Sequence, residues 1–308
     1  MSLRALYDVP APAKLNLFLH IVGRRADGYH LLQSPFMLID WADTLHFERR
    51  EDGLLQRHDL AATLPADDLC LRAARALQQA SACTLGADIS IEKLVPWGAG
   101  MGGGSSDAAS TLLALNRLWG LSWTRERLAT LALQIGADVP FFVGGHNAFV
   151  EGIGELLTPI ALEPQFYAVV KPAASLPTRE IFEHPMLVRD TEAVILKSCL
   201  GTAEGSTGSS VWCQSQRTWP VGHGDFGHND LQPPAQDRCP DIADAVLWLQ
   251  ARFGSSRMTG SGSAVFARVG KELTPETFSA VETIPPGWVV RMCRSLPWHP
   301  LREWADDD

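Results

Sequence analysis

With 308 residues, 46% of them hydrophobic and 20% charged, the chain has the make-up of a globular protein long enough for two domains, each with its own core. A formal net charge of −9 argues against nucleic acid or an anionic membrane as the main partner, because neither would be steered towards it. No run approaches the ~20 apolar residues of a membrane span.

The first strong pattern is a predicted strand over 13–22, followed by a second over 31–40. The segment between them contains Asp27-Gly28, a strong turn signal, and leads into Tyr29-His30. The apolar run after Lys14 is broken by Asn16 and His20 and lacks the small-residue cleavage site of a signal peptide. Further strands are expected near 44–50 and 87–92. Leu69–Gln79 carries apolar residues at helical spacing behind Asp67 and Asp68. Two more helices follow, Ser105–Trp119 with Gly120 as its stop and Thr124–Ile135.

Residues 148–170 read as strands separated by Gly152, Gly154 and Pro164, and a domain boundary is expected there, dividing the chain into 1–163 and 164–308. Short helical patterns cover 178–184 and 190–199. Gly201–Gly227 reads as a long loop. Asp241–Phe253 is a predicted helix, Ala264–Val269 a strand, Pro275–Val281 a helix and Trp288–Cys293 a closing strand. Strands and helices mix without a regular βαβ alternation, so the predicted class is α+β. The six cysteines are scattered with no CxxC pair, which points to reduced thiols in a cytoplasm. The ten tryptophans read as packing residues.

The chemistry centres on Pro96-Trp97-Gly98-Ala99-Gly100-Met101-Gly102-Gly103-Gly104-Ser105-Ser106. A predicted strand precedes it and a predicted helix follows. The glycines clear side chains from one face, so backbone N–H groups can converge on a ligand. The helix start adds free amides and the positive end of its dipole, which suits a polyphosphate, with hydroxyls from Ser105 and Ser106. A flexible linker seldom runs straight into a helix. Gly98, Gly100 and Gly103 match GxGxxG, but a second helix occupies the place of the second parallel strand that a dinucleotide fold requires. A Walker A loop would need Lys-Ser or Lys-Thr after the glycines. Physics alone leaves a phosphate loop of another kind, with anionic small molecules as its ligands.

A loop of this type before a helix resembles the GHMP kinases. Pro12-Ala13-Lys14-Leu15-Asn16-Leu17, Gly28-Tyr29-His30, the run Gly102–Ala109, Gly136-Ala137-Asp138-Val139-Pro140-Phe141-Phe142 and Thr259-Gly260-Ser261-Gly262-Ser263 resemble, in order, the 4-diphosphocytidyl-2-C-methyl-D-erythritol kinases among them. The resemblance implies a ribosomal-S5-like N-terminal domain, a ferredoxin-like C-terminal domain and an active site in the cleft between. It implies transfer of the ATP γ-phosphoryl group to the substrate's 2-hydroxyl with Mg2+, in the non-mevalonate isoprenoid pathway. The partners it implies are ATP and a cytidyl diphosphate sugar alcohol, with no direct protein ligand to the metal and a monomer or homodimer as the assembly.

It also assigns residues. From the residues alone, Asp138 reads equally as a turn or capping aspartate; the resemblance makes it the general base. Lys14, otherwise an exposed strand lysine, then sits beside it to hold the carboxylate ionised and stabilise the transferring group. Pro96 and the run Gly98–Ser106 become the ATP loop, with Lys93 facing the nucleotide or lying as a solvated strand charge. Asn16, Tyr29, His30, Thr178, Phe182, Gly260 and Gly262 become substrate contacts, since cytosine needs stacking faces and hydrogen-bonding edges. Read alone, Tyr29-His30 is more simply an ordinary hairpin end, with Phe182 a core residue and Gly260 and Gly262 a plain strand-entry turn as the alternatives. The family often has Asn-Leu where this chain has Asp68-Leu69, at a position tied to adenine.

Overall fold

The computed structural model describes residues 3–61, 63–194, 217–218, 226–270 and 284–307. Its first sheet is built around one long strand. β1 (Ala5–Asn16) and β2 (His20–Arg24) pair end to end along one edge of β3 (His30–Arg50). On the other side of the sheet, β4 (Leu55–Asp59) runs parallel to β5 (Gly86–Glu92), and β5 pairs with the far end of β3. β6 (Ala148–Glu151) pairs with the near end and is followed outwards by β7 (Leu156–Ala161). A four-stranded antiparallel sheet forms from β8 (Phe166–Lys171), β10 (Arg257–Met258), β11 (Val265–Val269) and β12 (Val289–Arg294), in the order β10-β11-β8-β12. The two-residue β9 (Arg217–Thr218) lies beside β7. The chain thus changes sheets between Ala161 and Phe166.

The helices of the first half are α1 (Leu69–Ser81), α2 (Gly103–Leu118), α3 (Arg125–Leu133) and the short α4 (Val139–Gly144). In the second half come α5 (Thr178–Phe182), α6 (Gln232–Arg238) and α7 (Pro240–Phe253). α2 is built mostly of small and aliphatic residues and buries every residue from Ser106 to Leu118 except Arg117. β3 shows why the layers stack. Phe36 and Leu38 enter the core shared with α1–α4, and so do Leu45 and Phe47 beyond the register shift that falls between Leu38 and Ala42. The alternate residues Met37, Ile39 and Trp41 enter a second core with Tyr167, Val169 and Phe266 of the other sheet. A strand's period of two therefore puts helices on one face and the second sheet on the other. On the far side, Ala168 and Val170 pack against Ile242, Ala245 and Leu249 of α7.

Several boundaries differ from expectation, each for a physical reason. The strand read over 13–22 starts at Ala5 and breaks after Asn16, where Leu17 N–H turns aside to Pro35 O at 3.0 Å. Pro10 and Pro12 are tolerated inside β1 because only one of its edges pairs with a strand. The strands read over 31–40 and 44–50 are one, because Asp43 is no turn residue but a fully buried anchor inside β3. α2 starts two residues early, at Gly103, so the glycine run supplies its first turn. α4, β4 and α6 escaped the pattern reading altogether. Residues 190–194 are not helical, and the rest of that expected helix, most of Gly201–Gly227 and the helix expected over Pro275–Val281 lie outside the described residues. Trp119 and Trp123 pack into the first core, and Cys70, Cys83, Cys239 and Cys293 are free thiols. Among the described residues no helix is long and apolar enough to cross a membrane.

Candidate active site

Lys14 lies near the end of β1. Its neighbours Ala13 and Leu15 face the second sheet, so alternation turns Lys14 the other way, with its ammonium 4.2 Å from the centre of the Phe36 ring. Only 3% of Lys14 is exposed. Nζ lies 3.6 Å from Asp138 Oδ2 and donates to Asn16 Oδ1 at 2.5 Å. Burial lowers the Lys14 pKa from its usual value, and the nearby Asp138 works against that fall. Asp138 is the residue before α4, yet its side chain makes no capping hydrogen bond. The carboxylate is 31% exposed, which leaves it open to a reactant as well as to Lys14.

Asn16 is buried and held on every side. Its N–H donates to Thr259 Oγ1 at 2.9 Å, and its Nδ2 donates to Ser34 Oγ at 2.8 Å. Oδ1 accepts from Lys14 and, at 3.3 Å, from the Thr259 hydroxyl. Asn16, expected as a substrate contact, accepts a hydrogen bond from the Lys14 ammonium in this structure.

The glycine loop runs directly against this pair. Lys14 N–H donates to Met101 O at 3.0 Å. Gly98, Gly100 and Gly102 have φ of 62°, 72° and 71°, a region that side chains disfavour. At Gly102 a Cβ would also press on Phe142 at 3.0 Å and on Lys14 at 3.3 Å. Ala99 and Met101 bury their side chains between the sheets, so only their backbone can serve a ligand. The first bond of α2 runs from Ser106 N–H to Gly102 O at 2.9 Å. The amides of Gly103, Gly104 and Ser105 therefore stand at the helix start without intrahelical acceptors, at the positive end of the dipole. Pro96 is half-buried at the mouth of the loop.

The second glycine motif braces the first. Ser263 N–H donates to Gly98 O and Ala264 N–H to Ala99 O, both at 3.1 Å. A Cβ on Gly100 would come within 2.3 Å of Thr259 O, and one on Gly260 within 2.5 Å of Gly100 O. Two backbones touch here, which explains the glycines at 100 and 260 without a ligand; Gly262 has φ of 83° in the same turn. Thr178 Oγ1 is 2.8 Å from Ser261 Oγ, which joins the start of α5 to this motif.

Lys93 has a different surrounding from either expectation. Its ammonium donates to Asp43 Oδ2, and to Asp107 Oδ2 at 2.6 Å. Asp43 also accepts from Leu94 N–H at 2.6 Å and Val95 N–H at 2.7 Å. The lysine is thus a buried clamp between the strand entering the loop and the first turn of α2. Burial pushes the Asp107 carboxyl well above the usual carboxylate range, although Lys93 opposes it.

A third corner lies at the hairpin of β2 and β3. Gly28 has φ of 91°, and Tyr29 N–H donates to Asp27 Oδ1 at 3.2 Å, an Asx-type turn that leaves Tyr29 61% exposed. The rings of His30 and Phe182 are 5.2 Å apart. Burial lowers the His30 pKa, and the charges of Arg189 and Arg24 lower it further. Asp68 caps α1 by accepting from Leu71 N–H at 3.0 Å and pairs with Arg57 at 2.8 Å.

The model of the GHMP kinases N terminal domain matches residues 68–146, the stretch from the cap of α1 through the phosphate loop to α4. The 4-diphosphocytidyl-2-C-methyl-D-erythritol kinase of Methylibium petroleiphilum is 64% identical over 99% of this chain and 100% of its own length. The one from Albidiferax ferrireducens is 53% identical over 99% of this chain and 98% of its own. The chain belongs to the 4-diphosphocytidyl-2-C-methyl-D-erythritol kinase family. A crystal structure of 4-(cytidine 5'-diphospho)-2C-methyl-D-erythritol kinase superposes with a TM-score of 0.74 at 30% identity, covering 93% of this chain and 98% of the other. The Methanococcus jannaschii mevalonate kinase, at 14% identity, shares the fold with a TM-score of 0.64 over 96% of this chain and 99% of its own. The two-domain α+β GHMP architecture and the kinase class follow.

For this kinase, sequence reasoning missed Thr259, Asp43, Asp107 and Arg189. Thr259 stood inside a motif read for its glycines. Asp107 was visible as an acid in the first turn of a helix. An aspartate in the hydrophobic run of β3 was the available signal for Asp43, since an isolated charge there needs a buried partner. Nothing local marked Arg189.

Proposed function

We propose that the chain transfers the γ-phosphoryl group of ATP to the 2-hydroxyl of 4-diphosphocytidyl-2-C-methyl-D-erythritol, giving the 2-phosphate and ADP in the non-mevalonate isoprenoid precursor pathway. The observation that carries this reading is the Lys14–Asp138 pair, 3.6 Å apart, directly beside the phosphate loop. The hydroxyl oxygen attacks the γ-phosphorus as the bond to the β-phosphate oxygen breaks, and that electron pair leaves with ADP. Asp138 accepts the hydroxyl proton, while the Lys14 ammonium offsets charge on the transferring group. The free amides of Gly103, Gly104 and Ser105 hold the phosphates of ATP. The exposed ring of Tyr29 and the pair of His30 and Phe182 offer the cytosine stacking faces and a polar edge.

Mg2+ is proposed to enter with ATP and neutralise phosphate charge. Among the described residues no group of three or more His, Cys, Asp or Glu could hold a metal. The Ser106 hydroxyl and Asp107 Oδ1, buried and without a hydrogen-bond partner among the described residues, fit a cation carried mainly by the nucleotide. A cytoplasmic enzyme with a boundary at 163/164 completes the proposal. The test is ADP release with the purified protein, together with phosphorus NMR of the product. ADP should form in step with a new phosphomonoester when the cytidyl substrate is present, and at least roughly a hundredfold more slowly with homoserine or mevalonate. Equal rates with either of those acceptors would defeat the assignment.

A further inference from the structure

Arg189 holds the corner where the pyrimidine is proposed to bind. Its Nη1 donates to Leu187 O at 2.8 Å, and Nη2 donates to Phe182 O at 3.1 Å and His184 O at 3.0 Å. These carbonyls follow α5 or end it, so the guanidinium completes the helix C-terminus. The remaining contact is the informative one. Arg189 Nε donates to His30 Nε2 at 3.1 Å.

A guanidinium has only donors and does not lose its proton in a protein. The nitrogen that meets it must therefore offer a lone pair, so His30 Nε2 is unprotonated. A neutral imidazole then carries its hydrogen on Nδ1. The depressed basicity of His30, from burial and from the charges of Arg189 and Arg24, keeps the ring in that neutral form. No described residue accepts from Nδ1.

We propose that Arg189 is a specificity-determining residue: by fixing the His30 tautomer it makes the pocket offer a donor, at Nδ1, to N3 of the pyrimidine. The inference rests on the reading of this corner as the cytidyl site. Cytosine presents a bare N3 that accepts such a hydrogen. Uracil carries N3–H, so the same edge would oppose two donors, and uracil cannot correct this without displacing the ring. A site built to hydrogen-bond one edge rejects the mismatched edge far more strongly than an apolar pocket rejects a methyl group, because buried polar groups are left unpaired. Arg189 itself touches no substrate atom in this account and acts through His30.

Two measurements test it. In the full-length protein, nitrogen-15 NMR of His30 should show Nε2 unprotonated and Nδ1 protonated at neutral pH; the opposite tautomer overturns the proposal without any variant. The second is the ratio of kcat/KM for the cytidyl substrate to that for its uridyl analogue. The wild type should favour cytidyl by at least ~100-fold, whereas Arg189→Met frees the tautomer and should bring the ratio below ~10, mainly through KM. Arg189→Lys, which restores a donor, should recover part of the preference. If Arg189→Met slows both substrates equally and leaves the ratio unchanged, Arg189 only supports the fold and the proposal fails. A wild type that phosphorylates neither substrate would instead defeat the functional reading, so the two failures are distinguishable.

Discussion

Asp43, Lys93 and Asp107 set one ammonium between two carboxyl groups beneath the glycine loop. Three buried charges cost a great deal to desolvate, and their mutual attraction offsets that cost only while the set is complete. Lys93→Met would leave two facing carboxylates without a cation and should cost about 3–5 kcal/mol of unfolding free energy. Asp107→Asn keeps an oxygen acceptor for Lys93 and leaves Asp43 to pair with it, so it should cost clearly less than Lys93→Met. Urea midpoints measured side by side decide between them, and equal losses would mean the clamp does not depend on its charge. The same comparison in ATP KM tests whether the clamp sets the loop. Asp43 ties the strand before the glycines through two backbone amides, so a loosened set should weaken nucleotide binding first.

At the scale of elements, the aspartate proposed as the base depends on a segment more than 150 residues further along the chain. α4 follows Asp138 and is held at its end by the C-terminal segment. His299 N–H donates to Gly145 O at 2.9 Å, and Asn147 bridges Leu38 N–H and Leu296 O. Buried Arg125 donates to Val143 O at 2.8 Å and Ala305 O at 2.6 Å. Within this strap His299 is fully buried, its Nδ1 accepts from Leu301 N–H at 3.1 Å, and burial brings its pKa down from 6.5 to about 3. The unfolded chain therefore binds a proton at His299 before the folded chain does. Its contribution is complete above pH ~6.5 and is lost as pH falls towards ~3. Between pH 7 and 5 that group alone should account for about 2 kcal/mol of lost stability. His299→Asn retains an acceptor for Leu301 and does not titrate, so chemical denaturation at the two pH values should show a smaller loss. An identical pH dependence in the variant would remove His299 as its source.

At the scale of the molecule, the layers were legible wherever period and composition agreed. The α1 stripe, α2 with its stop at Gly120, and the strands separated by Gly152, Gly154 and Pro164 were all read within a few residues. What escaped was set by distant partners. β3 looked like two strands because the lysine that neutralises Asp43 lies 50 residues away. β1 was cut short because its prolines are acceptable only on an edge, and edges are a property of the sheet. At the site, the loop and the Lys14–Asp138 pair were found by motif. The support that holds them was not, since Asn16 and Thr259 meet from 243 residues apart. The glycines at 100 and 260 read as space for a ligand; that the fold also brings their two backbones into contact was not legible in the sequence.

In the proposed reaction Asp138, opposite Lys14, takes the proton of the attacking hydroxyl. Single-turnover phosphoryl transfer with Asp138→Asn, beside ATP affinity measured by calorimetry, tests it most directly. The rate should fall by at least ~100-fold, the usual reach of a positioned general base, with ATP affinity within about threefold of wild type. A variant that binds ATP normally and transfers phosphate at more than about a tenth of the wild-type rate would contradict it.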